Sequence, residues 1–535
     1  MPPDDAMPTA MDEHEADTPP PERPRLPVRV IVAQAVVVAA LALWLLAVQR
    51  GIGWGDEWEW PVFGPVYPPS FLVAPLATLL GFGGLIVHLW RSLRREQIAS
   101  HRRGLAWGVV VGLCAGAWCL QAALWSVTPG SVSQLAAIQL SDVSTGYLSE
   151  AWRIDDLGEY LREYAREMPR KPEHVATHPP GAVLFFYAVR ELAQAVPALE
   201  RAALIAGSTG VGLSIPELAE EVARYPTAGW QGDRGLATAM LASWILGAAG
   251  ALMPLVVFAA LRGQLGDERA LAGAALLALM PGMLLFFPVL DQVVALLSAL
   301  MLAALAATQR HWAWAAVAGV ICAAALFVSL GALALVALGG VFLLLRAARQ
   351  VGQSADASWS ESYSVFAPLL IFGAGLLVGV GAWYLIGVDA AGVLSEGLGA
   401  HSSLTGRASS RSYHVWVWLN LVEFAIFLGL PLAALVVASV PRMVRALRET
   451  SSQALPAYLG ASALIVLLLL DLSGTVKAET GRIWMFFGPW LAAAAAPEAL
   501  DEDARDLRPL IIACALTALQ LVLMAWTMQP IMRPY

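Results

Sequence analysis

Apolar runs of about 20 residues recur along almost the whole chain, and this feature constrains the fold more than any other. A run of that length spans the hydrocarbon core of a bilayer when it forms an α-helix. Such a helix satisfies its own backbone hydrogen bonds, so the series predicts an all-α polytopic membrane protein. The thirteen predicted spans are residues 28–48, 70–90, 104–127, 236–261, 269–287, 292–308, 312–328, 330–346, 364–386, 415–440, 456–471, 483–497 and 508–527.

The composition supports this interpretation and excludes other classes of protein. Of the 535 residues, 58% are hydrophobic and 14% are charged, whereas soluble proteins have about 45–50% and 25%. This balance excludes a soluble enzyme and a disordered protein, and a net charge of −8 argues against a nucleic acid as partner. Because the four cysteines lie in apolar runs, we expect packing residues rather than a disulfide framework.

The charge of the connecting loops predicts the orientation of the chain. Short loops rich in Lys and Arg stay in the cytoplasm, which places the N-terminus inside and the C-terminus outside a plasma membrane. Residues 1–27, rich in Pro and acidic residues, are expected to form a disordered cytoplasmic tail. The basic loops include residues 91–103, 262, 310, 346–349 and 442–448, and the loops poor in basic residues include 49–69, 387–414 and 472–482.

The longest polar segment, residues 128–235, is predicted to lie outside the membrane and to carry function. Apolar residues from Leu148 to Met168 recur at helical spacing, which predicts an amphipathic helix on the bilayer or against the ends of the spans. A Pro-Pro-Gly run then ends any helix and places His178 before an apolar stretch. Residues 181–197 and 200–215 are expected to form a membrane-associated hairpin.

Acidic, basic and imidazole groups gather in the loops of the predicted outer face. Asp291 lies between two apolar runs, where an unpaired carboxylate is costly, so we expect either a site residue or a helix N-cap there. The span 415–440 adds Asn420 and Glu423. The other members of this set are Asp142, Tyr147, Glu150, His178, His401, Arg407, Arg411, Tyr413, His414, Lys477, Glu479 and Arg482.

The order of these features resembles the GT-C superfamily of polytopic glycosyltransferases, especially its protein O-mannosyltransferase and aminoarabinose transferase branch. The resemblance implies a GT-C-like core at 104–500, two additional helices at 28–103 and a C-terminal transmembrane helix within 501–535. The matching elements are Asp142 with Tyr147 and residues 150–153, the segment His178-Pro179-Pro180-Gly181, the pair Leu290-Asp291, and Arg482 before the aromatic segment that ends at Pro489.

The resemblance leaves two alternatives for the catalytic base. The family often has an Asp-Glu doublet in its first outer loop, whereas Asp142 is followed by Val143. Such a doublet occurs earlier, at Asp56 and Glu57, between the first two predicted spans. We favour Asp142 because the interfacial helices and the Pro-Pro element follow it, and we keep Asp56 with Glu57 as the alternative.

The resemblance implies a polyprenyl-phosphate sugar, mannose-like, as donor and a glycan, lipid or protein as acceptor. A carboxylate accepts the proton of the acceptor hydroxyl, and cations stabilise the departing phosphate. We expect Asp142 to be the base, with Asp291 and Glu150 orienting the acceptor. Asp142, Asp291 and His178 are also a candidate set for a divalent ion, Mg²⁺ or Mn²⁺. The expected donor or substrate residues are Tyr147, His178, Arg411, His414, Glu479 and Arg482.

Two other functions remain open from the sequence. A lipid or solute transporter of the cell envelope needs ionisable groups near the bilayer midplane, and Glu423 is the nearest such group. A scaffold protein without catalysis needs no clustered carboxylates, so an Asp142→Ala change is expected to leave it unaffected.

Overall fold

The protein is a bundle of α-helices. Our computed structural model describes residues 28–54, 57–62, 68–125, 131–225, 231–353, 359–407, 411–448, 455–500 and 506–528. Within these ranges nine helices are long and apolar enough to cross a bilayer, or ten if one bent pair is counted as a span. The prediction of an all-α polytopic membrane protein is therefore confirmed. The predicted tail, 1–27, and Asp56 lie outside the described residues.

The first part of the chain joins three long helices to a group of shorter ones. A two-stranded antiparallel sheet, β1 (Ile52–Trp54) and β2 (Trp58–Trp60), follows the first helix and pairs Ile52 with Trp60. The helices are α1 (Val28–Leu43), α2 (Val73–Arg95), α3 (Ala99–Trp125), α4 (Ser131–Leu140), α5 (Tyr147–Trp152), α6 (Leu157–Glu167), α7 (Glu173–Ala176), α8 (Gly181–Ala195), α9 (Pro197–Val211) and α10 (Ile215–Ala223).

The remaining helices form most of the bundle. The helix α11 (Gly232–Ala278) bends at Gly266, whose φ of 78° is not helical, so it contains one predicted span and the start of the next. The others are α12 (Pro281–Leu285), α13 (Asp291–Ala307), α14 (Trp314–Val328), α15 (Leu333–Gln353), α16 (Trp359–Leu385), α17 (Ala390–Arg407), α18 (Tyr413–Leu428), α19 (Leu430–Arg448), α20 (Leu455–Leu472), α21 (Thr480–Ile483), α22 (Gly488–Ala495) and α23 (Arg508–Thr527).

Two predicted spans are not single helices. The run 415–440 breaks at Gly429, whose φ of 100° separates α18 from α19. The run 483–497 consists of short turns and α22, and its residues from Trp484 to Ala496 are buried inside the bundle. Irregular backbone is tolerated at membrane depth where protein surrounds it, and here Ser298 donates a hydrogen bond of 2.8 Å to the carbonyl of Phe486.

The segment after residue 128 also differs from the predicted single amphipathic helix. It breaks between α5 and α6, where Asp156 accepts a 2.8 Å hydrogen bond from the amide of Glu159 and so begins a new helix. The apolar face of α6, including Leu161 and Tyr164, packs against α17. The residues predicted as a hairpin, 181–197 and 200–215, form the pair α8 and α9, which meet at 105°, and their association with a membrane stays a prediction.

The loops make two groups of contacts, one near each end of the helix α20. At one end, arginines of the basic loops bind neighbouring groups, including Arg102 with Glu268 at 3.1 Å and Arg349 with Tyr458 at 2.6 Å. At the other end, Asn420 bonds to Ala478 at 3.0 Å. The helix α20 connects the two ends, because Tyr458 lies near its start and Asp471, bonded to Asn420, near its end.

The first two helices are integrated with the rest of the bundle. The helix α1 packs against α19 and α23, and Gln34 donates a hydrogen bond to the carbonyl of Pro431. In the following loop the Trp60 ring lies 5.0 Å from Phe286 and 5.6 Å from Phe427. Trp60 is therefore buried among helices of the later part of the chain.

Candidate functional site

A cavity of about 850 Å³ opens where the loops poor in basic residues meet. Its lining includes the segment after α4, the turn between α12 and α13, the turn between α14 and α15, the end of α17 with Arg411, the loop between α20 and α21, and Trp60 of β2. The structure thus brings together groups that are more than 300 residues apart. The predicted site residues that line the cavity are Tyr147, His178, Asp291, Arg411, Glu479 and Arg482.

Asp291 and Arg482 form the centre of the cavity. The Nε of Arg482 lies 4.0 Å from a carboxylate oxygen of Asp291, and its Nη2 lies 2.9 Å from Glu479. Asp291 is the first residue of α13, and Leu290 rather than Asp291 occupies the N-cap position. Asp291 therefore does not occupy the N-cap position and lines the cavity beside a cation, while its role in a site stays a prediction.

Tyr147 presents a protonated hydroxyl to the same region. Burial, followed by the carboxylate of Asp291, raises the pKa of Tyr147 above its ordinary value. Its ring is fixed by Phe186, stacked at 6.2 Å, and by the edge of His178 at 5.6 Å. Tyr147 can therefore donate a hydrogen bond to a ligand near Asp291.

His178, which is expected among the residues that bind the donor or substrate, is neutral in the folded protein. Burial, with a further contribution from His174, lowers the pKa of His178 to about 4. Its Nδ1 lies 2.8 Å from the carbonyl of His174 and 3.1 Å from the hydroxyl of Thr177, which itself donates elsewhere. We assign the proton to Nδ1 on this basis, which leaves Nε2 as an acceptor.

Arg411 and Lys477 form a pair of adjacent cations on one wall of the cavity. The guanidinium of Arg411 donates to the carbonyl of Lys477, and the ammonium of Lys477 donates to the carbonyl of Arg411 at 2.9 Å. The Trp58 ring lies 5.2 Å from the Arg411 guanidinium. Neither cation has a carboxylate within 4.0 Å among the residues that the structure describes. The pair therefore offers positive charge to an anion.

The loop after α1 closes one side of the cavity. The carboxylate of Glu57 accepts hydrogen bonds from the amide of Ser412 at 2.8 Å, its hydroxyl at 2.6 Å and the indole of Trp416 at 2.7 Å. These bonds, led by the Ser412 hydroxyl, lower the pKa of Glu57. Glu57 therefore holds the start of α18 and is not available as a base. Trp60 lines the cavity.

Asp142 and Glu150 are not among the residues that line the cavity, whereas Asp291 is. Asp142 accepts hydrogen bonds from Ser149 and, at 2.9 Å, from Arg153. Glu150 pairs with Lys171 and, at 3.3 Å, with Arg153. Asp142 and Glu150 thus pair with groups on and near α5 and do not line the cavity with Asp291, and a catalytic site shared by all three stays a prediction. Both carboxylates instead fix the fold around α5.

The structure does not assemble the expected metal site either. No group of three or more His, Cys, Asp or Glu side chains with metal-binding geometry occurs in the described ranges. His414 is exposed, with its ring 5.9 Å from that of Tyr413, and does not line the cavity. The binding of a divalent ion by this protein therefore stays a prediction.

Several lining residues were not among the predicted site residues. Trp60 ends the acidic and aromatic segment Asp56-Glu57-Trp58-Glu59-Trp60, and His174 begins the segment that ends at His178. Because both residues lie beside candidate site residues in the sequence, they could have been predicted to line the site. Lys477 was named among the groups of the outer face but was not assigned a role in the site, although it lies two residues before Glu479. Gln139, which donates a 3.2 Å hydrogen bond to the carbonyl of Pro288, gave no such signal.

Comparison with the sequence patterns of known protein families finds none that matches this chain, and comparison with curated proteins finds no match either.

Proposed function

We propose that the protein is a membrane glycosyltransferase that moves a sugar from a polyprenyl-phosphate donor to an acceptor outside the plasma membrane. The observation that carries this proposal is the cation pair Arg411 and Lys477, which lacks ion-paired carboxylates in the described chain and shares a cavity with an apolar wall. That wall includes Phe286, Leu290 and Leu398. A lipid with a phosphate head combines the two chemistries that this cavity offers.

The cation pair supplies the phosphate site. Arginine binds two phosphate oxygens through its planar fork, and lysine adds a point charge. Because Arg482 is already bonded to Glu479 at 2.9 Å, we assign the donor phosphate to Arg411 and Lys477. Arg482 then fixes the neighbouring carboxylates.

Asp291 is the proposed general base. It lines the cavity and has one distant ion pair, whereas Asp142 is occupied by Ser149 and Arg153. In the transfer step the acceptor O–H gives its proton to Asp291 as the acceptor oxygen bonds to the anomeric carbon. The bond from that carbon to the phosphate oxygen breaks, and the phosphate leaves with the electron pair.

Two neutral groups are proposed to orient the acceptor beside this base. Tyr147 donates a hydrogen bond, and the unprotonated Nε2 of His178 accepts one. Both side chains line the cavity together with Asp291. A hydroxyl group needs one acceptor and one donor, so a glycan, a lipid hydroxyl or a protein serine all fit this arrangement.

The proposal includes a GT-C-like architecture of thirteen membrane segments with the N-terminus in the cytoplasm. Its support is the grouping of the loops: the cavity takes residues from the loops poor in Lys and Arg, while the arginine contacts lie at the other end. Short loops poor in basic residues face outwards, so the cavity is assigned to the outer face.

The test is sugar transfer by the purified full-length protein in nanodiscs. Radiolabelled polyprenyl-phosphate sugars, mannose first, are supplied with a membrane extract as acceptor. The variant Arg411→Ala with Lys477→Ala is expected to raise KM for the donor roughly tenfold or more, because charged hydrogen bonds are lost. The control is Arg170→Ala, whose guanidinium is exposed and pairs only with Glu167 among the described residues.

Two results would contradict the proposal. One is an unchanged donor KM in the double variant. The other is the absence of transfer from every sugar offered while the protein moves labelled polyprenyl phosphate between the leaflets of a vesicle. The second result would make the protein a lipid transporter.

A further inference from the structure

The loop between α20 and α21 has a backbone that its own sequence does not favour. Together with the start of the short helix α21 it forms the 475–482 loop, which carries three cavity residues, Lys477, Glu479 and Arg482. Ala478 and Glu479 have φ values of 76° and 58°, in the left-handed region that non-glycine residues seldom adopt. Two consecutive residues in that region persist only where the surroundings fix them. The loop must therefore be held from outside.

Asn420 on α18 provides most of these restraints. Its Oδ1 accepts a 3.0 Å hydrogen bond from the amide of Ala478, and its Nδ2 donates to the carbonyl of Val476 at 2.9 Å and to Asp471 at 3.0 Å. Its own carbonyl accepts a 2.9 Å bond from the Thr480 hydroxyl. Every polar atom of this buried amide side chain is used, and three of these four bonds go to the loop.

Glu423, one turn further along α18, restrains the end of the loop. Its Oε1 accepts hydrogen bonds of 2.9 Å from the amide of Gly481 and from the indole of Trp60. The residue is 1% exposed, and its Oε2 has no partner in the described part of the chain. A Cβ at Gly481 would lie 2.2 Å from the ring of Phe427, so the loop passes against α18 at a distance that only glycine permits.

We propose that Asn420 and Glu423 are positioning residues, which hold the 475–482 loop so that Lys477, Glu479 and Arg482 face the donor. This inference rests on the proposed function for its meaning in catalysis, but the restraint itself is a property of the structure. Through Trp60 the same carboxylate also ties the loop after α1 to this wall. Neither residue lines the cavity, and we expect neither to contact the substrate.

The pattern of contacts predicts which substitutions the network tolerates. Glu423 acts through one acceptor oxygen, and a glutamine keeps that oxygen, so Glu423→Gln is expected to retain the loop. Asn420 needs a donor as well as an acceptor. Asn420→Asp keeps the acceptor but places a second carboxylate 3.0 Å from Asp471, so it is expected to fail as Asn420→Ala does.

The experiment measures amide hydrogen exchange of the full-length protein in nanodiscs over a peptide that covers 473–484. We expect exchange at the amides of Ala478 and Gly481 to rise about tenfold in Asn420→Ala, Asn420→Asp and Glu423→Ala, and to stay within about twofold of wild type in Glu423→Gln. The matched control is Gln520→Ala, which removes a buried side chain bonded to Ile426 and Leu430 at the other end of α18.

The outcomes separate this inference from the proposed function. Unchanged exchange in Asn420→Ala and Glu423→Ala overturns the positioning role, whatever the activity. If wild type shows no sugar transfer but the exchange pattern holds, the proposed function fails and the restraint stands. Where transfer occurs, we expect Asn420→Ala, Asn420→Asp and Glu423→Ala to raise the KM for the donor. We expect Glu423→Gln to keep the KM of wild type. A rise in exchange equal to that of Gln520→Ala shows general destabilisation and contradicts a specific role.

Discussion

The indole of Trp60 donates a hydrogen bond of 2.9 Å to the carboxylate of Glu423, which lies 363 residues further along the chain. Both groups are buried, at 3% and 1% exposure. The bond joins the loop after the first helix to the helix that supports the cation-bearing loop of the cavity. The N-terminal segment is thus part of the proposed site.

Replacing Trp60 with phenylalanine removes this bond but keeps an aromatic ring against Phe286 and Phe427. We expect the free energy of unfolding to fall by about 1–2 kcal/mol, because the Glu423 carboxylate loses a donor in a buried position. The measurement is the thermal unfolding midpoint in detergent. The control is Trp107→Phe, which lies against Phe258 and Arg262 at the other end of the bundle. An equal effect of both changes would contradict a special role for Trp60.

Gly181 is expected to be intolerant of any side chain. A Cβ there would lie 2.2 Å from the carbonyl oxygen of Phe327, where α8 approaches the end of α14. Gly181→Ala should therefore destabilise the protein by about 1–3 kcal/mol through overpacking. Gly210→Ala, at a helical position with no atom within 4 Å of the new Cβ, is the control and should not lower the unfolding midpoint. If Gly181→Ala left the unfolding midpoint unchanged, the close contact between α8 and the end of α14 would be contradicted.

His178 makes the stability of the protein depend on pH. Its pKa of about 4 in the folded protein lies below its ordinary value of 6.5, chiefly because of burial. Between these pH values the unfolded chain binds more protons, so the free energy of unfolding rises with pH across this window and falls as the protein is acidified. The contribution is at most roughly 3 kcal/mol.

The check is the unfolding midpoint of wild type and His178→Gln from pH 7 to pH 4. We expect wild type to lose more stability than the variant below about pH 6.5, since glutamine has no proton to gain. Parallel pH profiles would show that His178 is protonated freely in the folded protein.

The sequence predicts the membrane class and the grouping of loops because apolar length and loop charge are local properties. A window of about 20 residues is enough to predict a span, and the charge of the adjacent loop is enough to predict its side. The break at Gly266 lies between two predicted spans, whereas the break at Gly429 was not predicted, since glycine also occurs inside regular helices and only packing decides where a φ becomes positive.

The site was predictable in part. Asp291 was identified because a carboxylate between two apolar runs is costly unless it has a role, and Arg482 was identified because its position before an aromatic, Pro-containing segment resembles the family pattern. Asp142 was favoured because of the residues that follow it in the sequence. In the structure Ser149 and Arg153 donate hydrogen bonds to it, and these contacts depend on the conformation of the loop, which the sequence pattern does not predict. The pairing of Trp60 with Glu423 depends on tertiary contact alone.

The most direct test of the account is the turnover of Asp291→Asn, Asp142→Asn and Asp56→Asn in the reconstituted transfer reaction. We predict that Asp291→Asn lowers kcat by about a hundredfold or more, as expected for loss of a general base, and that Asp142→Asn lowers it by less than about tenfold. Full turnover in Asp291→Asn, with loss in Asp142→Asn or Asp56→Asn instead, would contradict the assignment of the base to Asp291.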